Sequence, residues 1–170
     1  MIENFARKSI GGVAFAAALV LANSFAYAGN TVNIALSSTV ANACSLATST
    51  SSVTLGDLQV TPANNTPVAT LTEACNDAAG YSVKLASANA TSGSQLFLKG
   101  TTNATNTINY SLSYNNAAVT YSGGTATITT STSPTTSATG VTKSLNITTP
   151  AGFYATDTYA DTLTITLSAS

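Results

Sequence analysis

Few residues in this chain have side chains suited to catalysis. The sequence contains no histidine, which excludes Ser-His-Asp and Cys-His sites. A Ser–Lys dyad is the remaining nucleophilic arrangement, and the lysines after residue 28 are Lys84, Lys99 and Lys143. Lys84 occupies the outward position of an alternating segment, and the other two lie beside predicted turns. We therefore expect all three on the solvated surface, and the sequence nominates no catalytic residue.

Metal ligation is the second chemistry to consider. Asp157 and Asp161 lie four residues apart, but the ligand spacing of an EF-hand loop is absent. Asp161 is instead expected to cap or orient the turn that enters the last strand, and Tyr159 to act as a tyrosine-corner residue. Cys44 and Cys75 would need further ligands to hold zinc, and the chain has neither histidine nor a Cys-x-x-Cys pair. We expect no metal and no cofactor.

The first residues predict export. Arg7 and Lys8 precede an apolar stretch over residues 10–22, and Ala26-Tyr27-Ala28 forms a small-x-small cleavage site before Gly29. The stretch of about 13 apolar residues is shorter than the roughly 20 that a bilayer requires. Residues 1–28 therefore indicate a secretory signal peptide rather than a membrane anchor, and no later segment is apolar enough to span a membrane.

The cysteine count and the low charge are both consistent with an exported chain. In an exported chain, Cys44 and Cys75 are expected to form a disulfide, which stabilises by roughly 3–4 kcal/mol on the loop-entropy model. Three lysines and five acidic residues remain after residue 28. Nucleic acid is excluded as a partner, because phosphate neutralisation requires clusters of Lys or Arg. So few charges suit a surface that mostly faces other subunits.

The segments that carry these residues are predicted to be β-strands. Apolar and polar residues alternate with a period of two, as in half-buried strands. The alternating runs centre on Val32 to Leu36, Val53 to Leu55, Val68 to Thr72, Tyr81 to Leu85, Ile108 to Tyr114, Leu145 to Ile147 and Leu163 to Leu167. Turn residues separate these runs, which predicts a β-sandwich. The tract from Thr125 to Thr142 is either a strand with a loop around Pro134 or a mobile excursion.

Several short motifs resemble those of a known family. An alternating segment stands ahead of Cys44, Val53-Thr54-Leu55-Gly56 is similar to a family strand end, and Leu71-Thr72-Glu73-Ala74-Cys75 is similar to the strand that reaches the second cysteine. The best match is the C-terminus, Pro150-Ala151-Gly152 followed by residues 159–167. The chain thus resembles the pilin subunits of chaperone–usher fimbriae, in the archaic branch that shares the spore-coat-U-type domain. It departs from the family in the inserted residues 153–158, and in Leu55, where an aromatic residue is usual.

The resemblance implies an incomplete immunoglobulin-like β-sandwich that lacks its last strand. A periplasmic chaperone would lend that strand, and the N-terminal extension of the next subunit would replace it at an outer-membrane usher. The implied partners are copies of this chain or sibling pilins, and the implied location is a surface fimbria that supports adhesion or biofilm formation. Residues 29–41 then form the donor-strand extension, and residues 42–170 form the pilin domain.

The free energy gained by burying the apolar side chains of the N-terminal segment is consistent with a strand that the core needs for stability. Val32, Ile34, Leu36 and Val40 are the expected donor face, and their full burial contributes about 6–12 kcal/mol gross. A whole domain has a net stability of roughly 5–15 kcal/mol, so a core without this strand should be marginal. The expected groove edge is the last strand, with Leu163, Ile165 and Leu167.

The sequence also permits two other hypotheses about the function of the chain. The segment from Thr31 to Val40 could be the ordinary first strand of a complete sandwich, which would make the chain a self-contained secreted coat or binding module that does not polymerise. A secreted hydrolase of unusual type is the third hypothesis.

Overall fold

The computed structural model describes residues 32–135 and 139–170. The signal peptide predicted over residues 1–28, and residues 29–31 of the predicted extension, lie outside the described residues. The chain separates into two units, residues 1–38 and 39–170. In the first unit, the described residues 32–38 form no strand.

The described residues of the second unit form ten strands: β1 (Cys44–Thr48), β2 (Thr66–Cys75), β3 (Tyr81–Ser87), β4 (Leu96–Gly100), β5 (Thr107–Tyr114), β6 (Ala117–Ala118), β7 (Thr125–Ser131), β8 (Val141–Thr148), β9 (Tyr159–Ala160) and β10 (Leu163–Ala169). The residues that the structure describes form no helix, so among them no helix could cross a membrane.

The strands form two antiparallel sheets. The larger sheet has the order β1-β2-β8-β5-β4-β9, with β6 paired to β5, and the smaller sheet has the order β10-β3-β7. Buried side chains from both sheets meet in one main core and one smaller cluster. This curled, sandwich-like arrangement is consistent with an immunoglobulin-like fold, and it confirms the all-β prediction.

Period-two alternation explains most strands. In β5 the four apolar residues Ile108, Tyr110, Leu112 and Tyr114 are all buried, while two of the three residues between them, Asn109 and Ser111, are exposed. Successive side chains of a strand point to opposite faces, so one face of β5 packs into the core. The runs in β2, β3, β8 and β10 also form the predicted strands.

Two of the predicted runs form no strand. Residues 32–36 are unpaired, and the run from Val53 to Leu55 lies in a connection between β1 and β2. In this connection the hydroxyls of Thr48 and Thr50 donate to the carbonyls of Thr50 and Ser52, at 2.8 and 2.7 Å. Such local side-chain bonds to the backbone compete with a sheet ladder. The expectation of a strand at Val53 to Leu55 is therefore wrong, although Leu55 still packs against the core.

The described part of the Ser/Thr-rich tract from Thr125 to Thr142 forms a strand followed by a loop. Its first part is β7, which ends at Ser131, and β8 begins at Val141. Pro134 lies in the connection between them, and the amide of Thr135 donates to the carbonyl of Cys75 at 2.8 Å. This bond ties the described part of the connection to the end of β2.

A tight turn over residues 76–80 carries the chain from β2 into β3. Gly80 has a φ of 95°, and a Cβ at this position would lie 1.9 Å from the carbonyl oxygen of Ser131. Only glycine fits both the backbone conformation and the space. The turn reverses the chain direction, so β2 and β3 run in opposite directions in different sheets.

Candidate functional site

The two sheets leave an open edge between β1 and β10. Among the described residues, β1 pairs only with β2, and β10 pairs only with β3. The two strands approach to within 8 Å at some Cα atoms, but no hydrogen-bonded ladder joins them. Each strand therefore presents an unpaired row of backbone N–H and C=O groups, which can pair with another strand.

A cavity of 670 Å³ opens between these edges. Its deep lining consists of apolar core residues from β2, β4, β5 and β8, namely Leu71, Leu98, Tyr110, Leu112, Leu145 and Ile147. Its rim is formed by residues 46–48 and 50–53 on one side and by residues 161–163 and 165 on the other. The cavity therefore exposes part of the hydrophobic core along the open edge.

The predicted groove-edge residues all lie on the inward face of β10. Leu163, Ile165 and Leu167 are half-buried, and Thr164 and Thr166 between them are exposed. Leu163 and Ile165 line the cavity. Leu167 does not line it, and packs instead against the smaller cluster that contains Cys75.

The residues predicted as the donor face are all exposed. Val32, Ile34, Leu36 and Val40 are 80, 78, 91 and 82% exposed, respectively. They lie in residues 32–43, which form no strand. Four large aliphatic side chains on one short unpaired segment are unusual for a monomer, since contiguous exposed apolar surface commonly marks an interaction site.

The predicted disulfide between Cys44 and Cys75 is present. The two residues are direct partners in the antiparallel register of β1 and β2. The bond therefore joins the first residue of β1 to the last residue of β2, and so anchors one border of the open edge.

A second cavity of 670 Å³ adjoins the first. Its apolar lining comes from Leu58 and Ile108 of the core and from the aromatic residues Tyr154 and Tyr159. Four residues line both cavities, namely Val53, Leu55, Leu98 and Asp161. Among the described residues, Asp161 is the only charged one that lines the first cavity, and it lies where the two cavities meet.

Asp161 is held by four hydrogen bonds. One carboxylate oxygen accepts from the hydroxyls of Tyr110 and Ser87, at 2.5 and 2.7 Å. The other accepts from the amides of Thr162 and Asn89, at 2.7 and 3.2 Å. Burial, followed by the hydrogen bond to Asp161, raises the pKa of Tyr110. These bonds fix the chain where it enters β10, which confirms the orienting role expected of Asp161.

Asp157 serves a different loop. Its carboxylate accepts from the amides of Thr102 and Asn103, at 3.0 and 2.9 Å, and from the side chain of Asn106. The backbone donors hold the pKa of Asp157 well below its usual range. In the part of the chain that the structure describes, no group of acidic or cysteine side chains could hold a metal ion.

Tyr159 makes the contact expected of a tyrosine corner. Its hydroxyl donates to the carbonyl of Ala155, four residues upstream, at 2.7 Å. The residue is half-buried in β9 and packs against the main core. It therefore fixes the inserted loop that precedes the last strands.

Lys143 is not on the solvated surface, contrary to the expectation from the sequence. It lies in β8, its side chain is only 16% exposed, and its ammonium is 2.6 Å from a carboxylate oxygen of Glu73. Glu73 is fully buried in β2. The pair lies between the sheets because both residues occupy inward positions of neighbouring strands. Lys84 and Lys99 are exposed, as expected.

Glu73 is the centre of a polar cluster that includes residues from five strands. Its carboxylate accepts from the hydroxyls of Tyr114, Tyr81 and Thr129, at 2.5, 3.1 and 2.9 Å. Burial is the main cause of the raised pKa of both tyrosines, and the contact with Glu73 adds to it. The positions of Leu71, Glu73 and Cys75, two residues apart on the inward face of β2, could have indicated this burial from the sequence.

The Glu73 cluster has the character of a structural site. Every oxygen of the carboxylate is engaged by donors, and a buried charge is tolerated only when it is paired and hydrogen-bonded. Among the described residues, the donors to the carboxylates of Glu73 and Asp161 are hydroxyls, backbone amides and the ammonium of Lys143. The geometry that remains is the open edge, which is suited to binding a strand.

Comparison with known proteins supports a family assignment. Residues 30–166 match the family model for the Spore Coat Protein U domain. The match includes the residues predicted as donor face, both cysteines, the open edge and most of β10. No curated protein matches the chain significantly.

Proposed function

The chain belongs to the Spore Coat Protein U domain family of chaperone–usher fimbrial subunits, and we propose that it polymerises by donor-strand exchange. In this proposal, residues 29–41 of one copy fill the open edge of the next copy. The product is a surface fimbria that supports adhesion or biofilm formation. The chain acts as a structural subunit and has no catalytic role.

One observation carries the proposal: the apolar cavity at the unpaired edges of β1 and β10. A strand inserted there would gain backbone hydrogen bonds from an unpaired edge and would cover exposed core side chains. The exposed aliphatic residues Val32, Ile34, Leu36 and Val40 supply a face of matching character. Their burial is worth about 6–12 kcal/mol gross.

The strand directions disfavour one mode of self-insertion, in which a chain's own segment runs antiparallel to its β10. Both β1 and β3 run opposite to β2, and β10 runs opposite to β3. A strand antiparallel to β10 therefore runs parallel to β1. Parallel neighbours in a sheet require a long crossover connection, but only residues 41–43 separate Val40 from Cys44.

Distances lead to the same conclusion. Cys44 pairs with Cys75, Leu167 packs against Cys75, and Ala169 pairs with Tyr81. The first residue of β1 therefore lies near the last residue of β10, whereas an antiparallel donor would end near the first residue of β10. A seven-residue strand spans about 20 Å, and the link from Val40 to Cys44 reaches at most about 14 Å. A donor that runs antiparallel to β10 would therefore come from another molecule, and this is the arrangement that we propose.

Donation between molecules has a direct consequence for assembly. Each copy receives a segment on one surface and donates from another, so the contact is heterologous and builds an open chain of subunits. A free subunit would expose its groove. We propose that a periplasmic chaperone covers the groove during export and that an outer-membrane usher catalyses the replacement.

Thermal unfolding of a chain that cannot donate tests this function. The acceptor is residues 29–170 with Ile34→Asp, which prevents its own segment from filling a neighbour. A peptide of residues 30–40 is added in excess, and we expect it to raise the melting temperature of the acceptor markedly. The matched control is the same peptide with Ile34→Asp, which should have no effect because a carboxylate would enter the apolar cavity.

The alternative is a self-contained secreted module. An acceptor that already melts at a high temperature, and whose melting neither peptide changes, would support that alternative and rule out donor-strand exchange.

A further inference from the structure

We propose a specific register for the donated strand, in which Ser38 of one copy lies opposite Asp161 of the next. The proposal rests on donor-strand exchange as proposed above and adds the residue that sets its alignment. It concerns the one polar position on the donor face and the one charged position that lines the first cavity.

The donor face carries a distinctive order of side chains. Its positions two residues apart are Val32, Ile34, Leu36, Ser38 and Val40. Ser38 is the only polar residue in this series, and it separates three aliphatic side chains from a fourth. Since alternate residues of a strand share a face, all five would point into the groove together.

The acceptor edge carries the complementary order in reverse. Residues 159, 161, 163, 165 and 167 are all half-buried, and the residues between them are all exposed. From the C-terminal end, the inward series is Leu167, Ile165, Leu163, Asp161 and Tyr159. It also has three aliphatic residues, then one polar residue, then one apolar residue.

Only one alignment matches the two series at every position. In the antiparallel direction it places Val32, Ile34, Leu36, Ser38 and Val40 opposite Leu167, Ile165, Leu163, Asp161 and Tyr159. A shift by two residues places either Val40 or Leu36 opposite Asp161, and Ser38 opposite an apolar or aromatic residue. A shift by one residue turns the aliphatic side chains away from the groove. In the parallel direction, matching Ser38 with Asp161 places Ile34 opposite Asp157.

The two cavities fit this alignment. Ile34 and Leu36 lie opposite Ile165 and Leu163, which line the first cavity. Ser38 reaches the boundary at Asp161, and Val40 then lies opposite Tyr159, which lines the second cavity. The single polar residue of the donor thus coincides with the boundary between the two cavities.

Desolvation explains why Asp161 selects a serine. Asp161 is half-buried in the free chain and lines both cavities, so water can reach it beside its bonds to Tyr110, Ser87 and the backbone amides. A donor strand removes that water. A hydroxyl can replace the water as a further hydrogen-bond donor, whereas an aliphatic side chain would displace the water and leave the charge less well solvated.

Cysteine cross-linking measures the register directly. The acceptor is again residues 29–170 with Ile34→Asp, now carrying Leu163→Cys or Ile165→Cys, and the donor is a peptide of residues 30–40 with Leu36→Cys. Directly opposite residues are close enough for a disulfide, but residues displaced by two positions are not. We expect the peptide to cross-link to Leu163→Cys and not to Ile165→Cys, and an Ile34→Cys peptide to show the reverse preference.

A binding series tests the role of Ser38. Ser38→Val should weaken peptide binding by at least about fivefold, while Ser38→Thr retains the hydroxyl and should bind nearly as well as the native peptide. On an acceptor with Asp161→Asn, which has no charge to desolvate, the penalty of Ser38→Val should shrink.

The outcomes separate this inference from the function on which it rests. If the native peptide binds but cross-links to Ile165→Cys through Leu36→Cys, the register is wrong and donor-strand exchange stands. If the register holds but the Ser38→Val penalty is absent or does not depend on Asp161, the pairing is wrong. A native peptide that does not bind overturns both proposals.

Discussion

A carboxylate oxygen of Glu73 lies 2.6 Å from the ammonium of Lys143 in the space between the two sheets. Glu73 is fully buried, and the side chain of Lys143 is 16% exposed. Tyr81, Tyr114 and Thr129 donate to the same carboxylate. The cluster therefore joins β2, β3, β5, β7 and β8 through one charge, and each donor compensates part of its desolvation.

Removing the lysine alone should destabilise the domain strongly. Lys143→Met leaves the buried charge of Glu73 without its ion-pair partner, and such changes cost about 3–5 kcal/mol. The double variant Glu73→Gln/Lys143→Met retains no unpaired charge. Its loss of unfolding free energy should therefore be smaller than the sum of the losses for Glu73→Gln and Lys143→Met alone. Equilibrium denaturation by urea measures all three variants. Additive losses would show that the two residues act independently.

Reduction of the disulfide should loosen the border of the open edge. Cys44 and Cys75 close a loop across 31 positions in sequence, and breaking the bond should cost roughly 3–4 kcal/mol on the loop-entropy model. The Cys44→Ser/Cys75→Ser variant should unfold at a correspondingly lower urea concentration. A reducing agent should lower the stability of the native chain and leave that of the variant unchanged. An unchanged midpoint for the variant would contradict this role.

Asp157 should make the fold sensitive to acid. Its pKa in the folded chain is lowered from 3.8 by the amides of Thr102 and Asn103, so the unfolded chain takes up this proton first as the pH falls. The stabilisation is present above pH 3.8 and decreases as the pH falls below that value. Asp157→Asn should be less stable at neutral pH and should lose less stability on acidification. Melting temperatures of the variant and the native chain, measured from neutral pH to below pH 3.8, show how much stability each protein loses on acidification. Parallel curves for the two proteins would contradict the prediction.

A charge on the inward face of β10 should block assembly. Ile165 lines the first cavity, and Thr166 beside it is exposed. Ile165→Asp should abolish binding of the peptide of residues 30–40, while Thr166→Asp should leave it nearly unchanged. Peptide binding is measured by fluorescence anisotropy, and circular dichroism checks that both variants retain their β-structure. Equal loss of binding in both variants would indicate a general effect of charge and not the cavity.

A relocated donor strand should produce a stable monomer. Residues 29–40 are deleted and residues 30–40 are attached after Ser170 through an Asn-Gly turn, which favours an antiparallel hairpin. The attached segment can then run antiparallel to β10 in the same molecule. We expect a higher melting temperature than that of the deleted chain and no assembly at high concentration. Fibres formed by this variant would contradict the proposed role of residues 29–41.

The sequence predicted those parts of the fold that depend on local patterns. Alternation located β2, β3, β5, β8 and β10 because each strand buries one face. It failed at Val53 to Leu55, where only two apolar residues alternate and neighbouring hydroxyls bind the backbone instead. The pattern could locate a strand, but it could not show which edges stay unpaired, because that depends on contacts between distant segments.

The candidate site was predicted in part for the same reason. The sequence identified the apolar face of β10 and the disulfide, and the structure shows that Leu163 and Ile165 line a cavity while Leu167 packs elsewhere. It assigned Lys143 to the surface because nothing local distinguishes that lysine from a solvated one. The partner that draws it inward, Glu73, is 70 residues away in sequence.

The position of the disulfide bears on how a fibre would carry mechanical load. In the proposed assembly, tension passes from one subunit to the next through residues 41–43 and reaches the domain at Cys44. Because Cys44 is bonded to Cys75, the pulling force is transferred covalently to β2, a strand that pairs with β1 on one side and, up to Glu73, with β8 on the other. The edge strand β1 is thus protected from being peeled off its neighbour. Under tension, the inserted strand should slide out before the subunit unfolds.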